Sequence, residues 1–212
     1  MSLKWIAQKI KSGIRGYVQR NGSVSIKKRV WDAEYASGKW DCLDDMSQDC
    51  VNPYIEQYAK KGAILDLGCG PGGTGNELHV DSYYSYTGVD ISDVAIAKAR
   101  ARTLENQRTV RNSYYQADIC NYVPESSYDV IVFGDSIYYF TGQTLRTLLR
   151  RYSEYLKAGG VFIAKIKGPY SDIHTILERE FSIVEKRYHF DNEVCVVVFV
   201  PKGHSLALST NQ

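Results

Sequence analysis

No stretch of this chain approaches about 18 consecutive apolar residues, so no membrane-spanning helix is expected. The first residues lack an apolar core followed by a small-residue cleavage site, so no secretory leader is expected. The five cysteines, Cys42, Cys50, Cys69, Cys120 and Cys195, are odd in number and contain no C-x-x-C pair. That argues against a disulfide framework or a zinc site, and makes a reducing cytoplasm the expected compartment. Only four histidines are present, His79, His174, His189 and His204, and none shares metal-ligand spacing with carboxylates. No metal is expected. Internal repeats, low-complexity tracts and interdomain linkers are also missing. At 212 residues, one domain with a real core is the default.

Acidic residues are missing from one end. Residues 1–30 carry eight lysines and arginines and no acid. The formal total is +2, so the remaining chain is −6. An acidic body is a poor surface for tracking nucleic acid, which is therefore not an expected partner. Leu3, Ile6, Ala7, Ile10, Ile14, Tyr17 and Val18 fall on one face at helical spacing, opposite Lys4, Lys11 and Arg15. Gly13 and Gly16 weaken such a helix by ~1 kcal/mol each. Two readings stay open. One is weak contact with an anionic membrane surface or another polyanion. The other is packing against the domain or a symmetry mate, or partial disorder.

What the chain has in excess is glycine in one place. Ile64–Gly75 reads Ile-Leu-Asp-Leu-Gly-Cys-Gly-Pro-Gly-Gly-Thr-Gly. An apolar run feeds a glycine-dense turn, and a helix-like segment follows. Such a turn lets backbone approach a ligand closely, and a helix start favours negative charge. Asp66 adds an acceptor for a cationic or hydroxylated group. Gly68, Gly70 and Gly73 also fit the dinucleotide pattern G-x-G-x-x-G. Tyr86–Asp90 reads as a second strand ending in an acid, about 20 residues beyond Gly70, the spacing of an acid that binds ribose hydroxyls. A helix pattern follows from Asp93, a third strand ends near Tyr114–Ile119, and a fourth spans Tyr128–Asp135.

With these segments in order, the chain resembles the class I S-adenosylmethionine-dependent methyltransferases over roughly residues 31–200. Asp66–Gly72 is similar to the family's first motif, Asp90-Ile91-Ser92 to its second, and Ala117-Asp118-Ile119 to its third. Leu156–Gly160 is similar to the turn before the fifth strand. The resemblance implies an α/β fold: a Rossmann-like, seven-stranded, mostly parallel sheet with an antiparallel last strand and helices on both faces. It implies S-adenosyl-L-methionine as cofactor and S-adenosyl-L-homocysteine as product. It implies that Asp66, Gly68, Cys69 and Gly70 meet the methionine end, Asp90 and Ile91 the ribose, and Ala117, Asp118 and Ile119 the adenine, with Gly134 beside them. Cys69 is read as a small residue that fits the turn, not as a nucleophile. Tyr35 and Trp40 precede the first motif, where similar aromatic segments cover the cofactor. Plain packing by both is the competing reading.

The remaining pattern fills one domain over 31–202, with a loose tail over 203–212. A helix is expected over Lys28–Gly38. Asn52 is expected to cap a helix that starts with Pro53 and runs to Gly62. Further helices are expected at about Gln143–Lys157 and after a capping Ser171, and strands at 181–189 and 194–200 with Asp191-Asn192 between them. Ligands of open α/β sheets sit beyond the carboxyl ends of strands. Acceptor contacts are therefore expected from Gly134–Phe140, Lys167–His174 and Tyr188–Glu193. The first of these lacks the Asn/Asp-Pro-Pro-Tyr pattern of nucleic-acid and glutamine amino-methylating enzymes. It resembles the acid-x-x-Tyr-Tyr segment of nodulation N-methyltransferases and related small-molecule enzymes. Asp135 is the candidate base or orienting carboxylate, with a turn cap as the alternative. His174 is a second candidate base. Tyr138, Tyr139 and His189 are candidate acceptor contacts. Seventeen tyrosines suit sugars or flat acceptors, though they also fill partly wet cores.

The expected activity is methyl transfer to a hydroxyl or amine of a small molecule, a sugar or secondary metabolite. The rivals are a protein or RNA methyltransferase, and a cofactor-binding partner subunit without its own catalysis. The expected location is cytoplasmic, with the inner membrane surface as a variant. Oligomeric state is left open.

Overall fold

A computed structural model of the protein describes residues 13–41, 49–168 and 170–204. Its strands are β1 (Ala63–Leu67), β2 (Ser85–Asp90), β3 (Asn112–Gln116), β4 (Tyr128–Gly134), β5 (Leu156–Lys167), β6 (Phe181–His189) and β7 (Val194–Pro201). Its helices are α1 (Val24–Ala36), α2 (Asn52–Ala59), α3 (Gly73–Glu77), α4 (Asp93–Glu105), α5 (Gly142–Ser153) and α6 (Ser171–Glu180). Residues 13–21 are also helical.

All seven strands join one sheet in the order β3-β2-β1-β4-β5-β7-β6. β3, β2, β1, β4 and β5 run parallel to their neighbours. β7 lies antiparallel between β5 and β6. This is the Rossmann-like sheet the sequence led us to expect.

The central strands read as continuous apolar runs because both faces are covered. Side chains alternate between the faces. Leu65, Leu67, Ile131, Phe133, Phe162 and Phe199 join a core with Leu145, Leu149 and Tyr152 of α5 and Ile173 and Leu177 of α6. Ile64, Tyr86, Val130, Val132, Ile163 and Val198 join the opposite core with Ile55 of α2 and Ile96 and Ala99 of α4. Each fully buried side chain of this size contributes roughly 1.5–3 kcal/mol. Together they make the sheet the rigid part of the molecule.

Several local expectations are corrected. The helix over 28–38 starts earlier, at Val24. Asn52 lies inside α2 and is itself buried, and Val51 is the capping residue. α2 ends where Lys60 turns left-handed (φ 49°), short of Gly62. The third strand ends at Gln116, because the Ala117 amide turns to donate to the Asp90 carbonyl. α5 stops at Ser153, since Leu156 already opens β5. Tyr170, not Ser171, precedes α6. The helix after the glycine turn is one turn long, too short for a developed macrodipole. Of the apolar residues expected on the N-terminal helix, Ile14 and Tyr17 face solvent. Residues 1–12 and Cys42 lie outside the described residues. Among the described residues, no helix is long and apolar enough to cross a membrane.

Candidate functional site

The strand order reverses at β1, which has β2 on one side and β4 on the other. Beyond the carboxyl ends of these strands lies a cavity of about 270 Å³. This is where open α/β sheets place their ligands. The glycine turn forms its floor. Gly68 sits at φ +86°, and a Cβ there would lie 2.6 Å from Ser136 Cβ. Any other residue would push the turn off the loop that follows β4. Ser136 Oγ in turn donates to the Leu67 carbonyl at 2.5 Å, fastening that loop to the end of β1.

Two buried acids define one side of the cavity. Asp66, at the end of β1, receives the Tyr86 hydroxyl on Oδ2 at 2.5 Å. Its other oxygen, Oδ1, is buried without a hydrogen bond. Burial pushes its pKa up to about 7, with the Tyr86 hydroxyl opposing. Asp90, at the end of β2, accepts from the Gly70 amide at 3.0 Å and the Ser92 amide at 2.8 Å. Burial raises its pKa to about 6, against those amides. Spare lone pairs on its oxygens remain available to hydroxyl donors. Cys69 between them is buried, and burial lifts its thiol well above the ordinary range. It stays neutral and is no nucleophile. Asp118, Ile91 and Ile119 line the adjoining wall. The Ile119 carbonyl is held from behind by the Tyr152 hydroxyl at 2.8 Å and by Arg151.

The other side carries charge of both signs. Lys165 on β5 forms ion pairs with Asp49 and, at 2.5 Å, with Asp135. Burial alone would lower the Lys165 pKa, but Asp135 and then Asp49 outweigh it, so the net shift is upward. The group stays an ammonium, and the trio carries a net charge of −1 while both acids are ionised. Asp135 is held at φ +59°, just past the end of β4. The Tyr138 hydroxyl donates to its Oδ1 at 3.3 Å. Tyr138 stacks on Tyr170 at 5.1 Å. Tyr139 meets the Trp31 ring edge-on at 5.1 Å.

The N-terminal helices form the roof. Trp31, Tyr35 and Trp40 all line the cavity. Trp40 Nε1 donates to Glu34 at 2.9 Å, which fixes that ring. Asp32 accepts from Ser92 Oγ at 2.6 Å, tying the roof to the start of α4.

The cavity therefore brings together Tyr35, Trp40, Asp66, Gly68, Cys69, Gly70, Asp90, Ile91, Asp118, Ile119, Gly134, Asp135, Tyr138 and Tyr139. It leaves out three residues expected there. Ala117 packs against the core behind the wall. His174 sits on α6, with burial and Lys186 lowering its pKa, and does not line the cavity. His189 ends β6, two strands away from β5, with its ring 3.1 Å from the Tyr54 hydroxyl. Sequence reasoning missed Gln19, Lys27, Trp31, Asp49 and Lys165, which all line it, while Lys167 lies in a segment expected to meet the acceptor. Only Lys165 left a readable trace, as a charge inside the apolar run Val161–Ile166. Among the described residues there is no cluster of ligands for a metal.

Comparison with known proteins agrees with this geometry. Residues 64–160 match a family described as "Methyltransferase domain". The chain is 25% identical over 162 residues to an mRNA cap guanine-N(7) methyltransferase of Cryptococcus neoformans, covering 69% of this chain and 26% of that protein. It is 26% identical over 136 residues to the N-terminal Xaa-Pro-Lys N-methyltransferase 1 of Rattus norvegicus, covering 60% of each. It thus spans about a quarter of the first relative and three fifths of the second. In fold it is similar to the N-methyltransferase NodS of Bradyrhizobium japonicum, solved with S-adenosyl-L-homocysteine. That match has a TM-score of 0.64 and 18% identity, covering 82% of this chain and 98% of the other. Residues 64–160 thus match a methyltransferase domain, and the glycine turn and strand order give the chain the Rossmann-like fold of S-adenosylmethionine-dependent methyltransferases.

Proposed function

We propose that this protein transfers the methyl group of S-adenosylmethionine to a nitrogen of a small molecule, an amino sugar or an amine-bearing secondary metabolite. The observation that carries this reading is the pairing, in one roofed cavity, of an orphaned buried carboxylate oxygen on Asp66 with an acid-rich trio at Asp49, Lys165 and Asp135.

The residues present fit the cofactor. Asp66 Oδ1 would accept from the ammonium of its amino-acid end. Asp90, anchored by two amides, would take the ribose hydroxyls. Asp118 and Ile119 would hold the adenine. When bound, S-adenosylmethionine supplies a methyl carbon already activated by a positive sulfur. The protein then has to exclude water and align the acceptor, and alignment alone contributes several kcal/mol. Trp31, Tyr35 and Trp40 supply the exclusion. Asp135 orients an acceptor N–H, and its neighbours Tyr138 and Tyr139 wall the acceptor's body. Both tyrosines stay protonated: burial raises Tyr138 far above neutral pH and Tyr139 up to about 12.

Nitrogen is favoured over oxygen for two reasons. A hydroxyl acceptor needs a base to remove its proton, and all four histidines lie away from the cavity lining. An amine needs only to arrive neutral, and a carboxylate can then accept from its N–H. The two sequence relatives are likewise an N(7)-methyltransferase and an N-methyltransferase. Those relatives also favour a second reading, a nitrogen on RNA or on a protein N-terminus. The basic segment over residues 1–30 would then bind the polyanion.

The test is calorimetric titration with S-adenosylmethionine and S-adenosylhomocysteine on wild type and Asp90→Ala. Binding in the micromolar range that weakens at least about tenfold in the variant is expected. No binding by folded wild type overturns the reading. Labelled methyl transfer to amino sugars, but not to their hydroxyl counterparts, is expected next. Preferential labelling of capped RNA or of peptide N-termini over amino sugars moves the assignment to the second reading.

A further inference from the structure

The helix at residues 13–21 is turned against its own hydrophobicity. Ile14 and Tyr17 are 62% and 69% exposed, whereas Gln19 is 5% exposed. A surface helix ordinarily turns its apolar stripe inward. Here the inward face carries Arg15 and Gln19, one helical turn apart. Arg15 accounts for its own position. Its Nη2 donates to Glu34 at 2.9 Å, and its guanidinium lies 5.8 Å over the Trp40 ring.

Gln19 has no such partner. Its amide nitrogen is buried without a hydrogen bond, and its side chain lines the cavity. Leaving a buried donor unmet destabilises the fold. The next residue, Arg20, is exposed, yet Gln19 stays buried at the cavity. The same cavity holds an unmet acceptor, Asp66 Oδ1. Of the three lysines that line the cavity, Lys165 is already engaged by Asp49 and Asp135. An unmet donor and an unmet acceptor in one cavity are complementary to a group that brings both. An amino-acid end does so: its ammonium suits Asp66 and its carboxylate suits Gln19.

We propose that Gln19 is a positioning residue that donates to the carboxylate of the methyl donor's amino-acid end. That end then strengthens the seating of the helix at 13–21 over the site. The inference rests on the methyltransferase reading above and deepens it.

The experiment titrates S-adenosylhomocysteine and 5′-methylthioadenosine, which lacks the amino-acid end, into wild type, Gln19→Met and Gln19→Asn, with thermal melts of each free protein. Gln19→Met keeps the length and removes the unmet donor, and Gln19→Asn withdraws the amide by one methylene. In Gln19→Met the free protein is expected to melt higher, while S-adenosylhomocysteine binds about tenfold more weakly and 5′-methylthioadenosine within about twofold of wild type. Gln19→Asn is expected to show the same selective loss. A residue that merely packs would lower the melting temperature and weaken both ligands alike, and that result overturns the proposal. So does unchanged S-adenosylhomocysteine affinity in both variants. If wild type binds neither ligand, the methyltransferase reading itself has failed, and this inference falls with it.

Discussion

Acidification should strip the cofactor from this protein well before it unfolds the chain. Asp66 and Asp90 sit in the cavity with burial-raised pKa values of about 7 and about 6. A ligand that needs Asp66 as a carboxylate binds only the ionised fraction. With a pKa of about 7 that fraction is roughly 90% at pH 8 and roughly 1% at pH 5, so the Kd for S-adenosylhomocysteine rises about 100-fold. Asp90 adds less, up to about tenfold, because its pKa is lower and a protonated acid still bonds ribose oxygens.

The sign for the free protein is opposite. Folding raises the Asp66 pKa above its ordinary 3.8, so the folded state holds a proton that the unfolded chain has released. That stabilisation is complete below the ordinary value and is lost as pH rises to about 7, amounting to as much as about 4 kcal/mol for Asp66. The ligand-free protein is thus under strain at Asp66 at the very pH where it binds best. The assay is isothermal titration at pH 5, 6, 7 and 8, with circular dichroism to verify folding, repeated on Asp66→Asn. The variant should bind weakly, keep only the pH dependence of up to about tenfold that Asp90 supplies, and melt higher than wild type at pH 8. A Kd constant within about threefold from pH 5 to pH 8 in folded wild type would refute the reasoning.

Other perturbations separate the parts of the site. Asp135→Asn should lower kcat by roughly 10- to 100-fold in the labelled-transfer assay while leaving S-adenosylhomocysteine affinity within about twofold, because Asp135 faces the acceptor side. Lys165→Met leaves two carboxylates facing each other without a cation. It should cost roughly 3 kcal/mol in urea unfolding at pH 8. Gly68→Ala places a methyl 2.6 Å from Ser136 Cβ at φ +86°, and should destabilise the fold by about 2 kcal/mol or more, read from the urea midpoint.

What could be read from sequence was local. Asp66, Gly68 and Gly70 follow directly from a strand, and Asp90 ends the next strand, so their meeting at the switch point follows from the βαβ connection alone. The acceptor side is assembled from distant parts. Lys165 and Asp49 are 116 residues apart, and no spacing rule joins them. His189 shows how such a rule misleads. It does follow a strand's carboxyl end, but β7 intervenes between β6 and β5, which moves that end about 10 Å from the last parallel strand. His174 fails because α6 turns Ile173 and Leu177 into the core and leaves the histidine beside Lys186. Gln19 was hidden because the apolar periodicity of the N-terminal segment left its inward face open, and in the described part Ile14 and Tyr17 turn outward instead.

The roof over the cavity is held in a different way from the sheet beneath it. Beyond the ring contacts of Trp31 and the buried ring of Tyr35, its ties are polar. Asp32 takes the Ser92 hydroxyl at 2.6 Å. Lys28 reaches Asp93 at 2.6 Å. Lys98 reaches the Tyr35 carbonyl at 3.1 Å and Asp41 at 3.0 Å. Partly exposed pairs of this kind contribute about 0.2–1 kcal/mol each and weaken with salt. The roof should therefore open far more often than the sheet unfolds, as ligand exchange under Trp31 and Tyr35 requires. Hydrogen exchange should show amides of α1 exchanging much faster than those of β1 and β4, faster still in about 1 M salt, and slowed by S-adenosylhomocysteine. Asp32→Ala should accelerate α1 alone. Protection of α1 equal to that of β1, indifferent to salt and to loss of Asp32, would mean that the roof is part of the core and that ligands reach the site by another route.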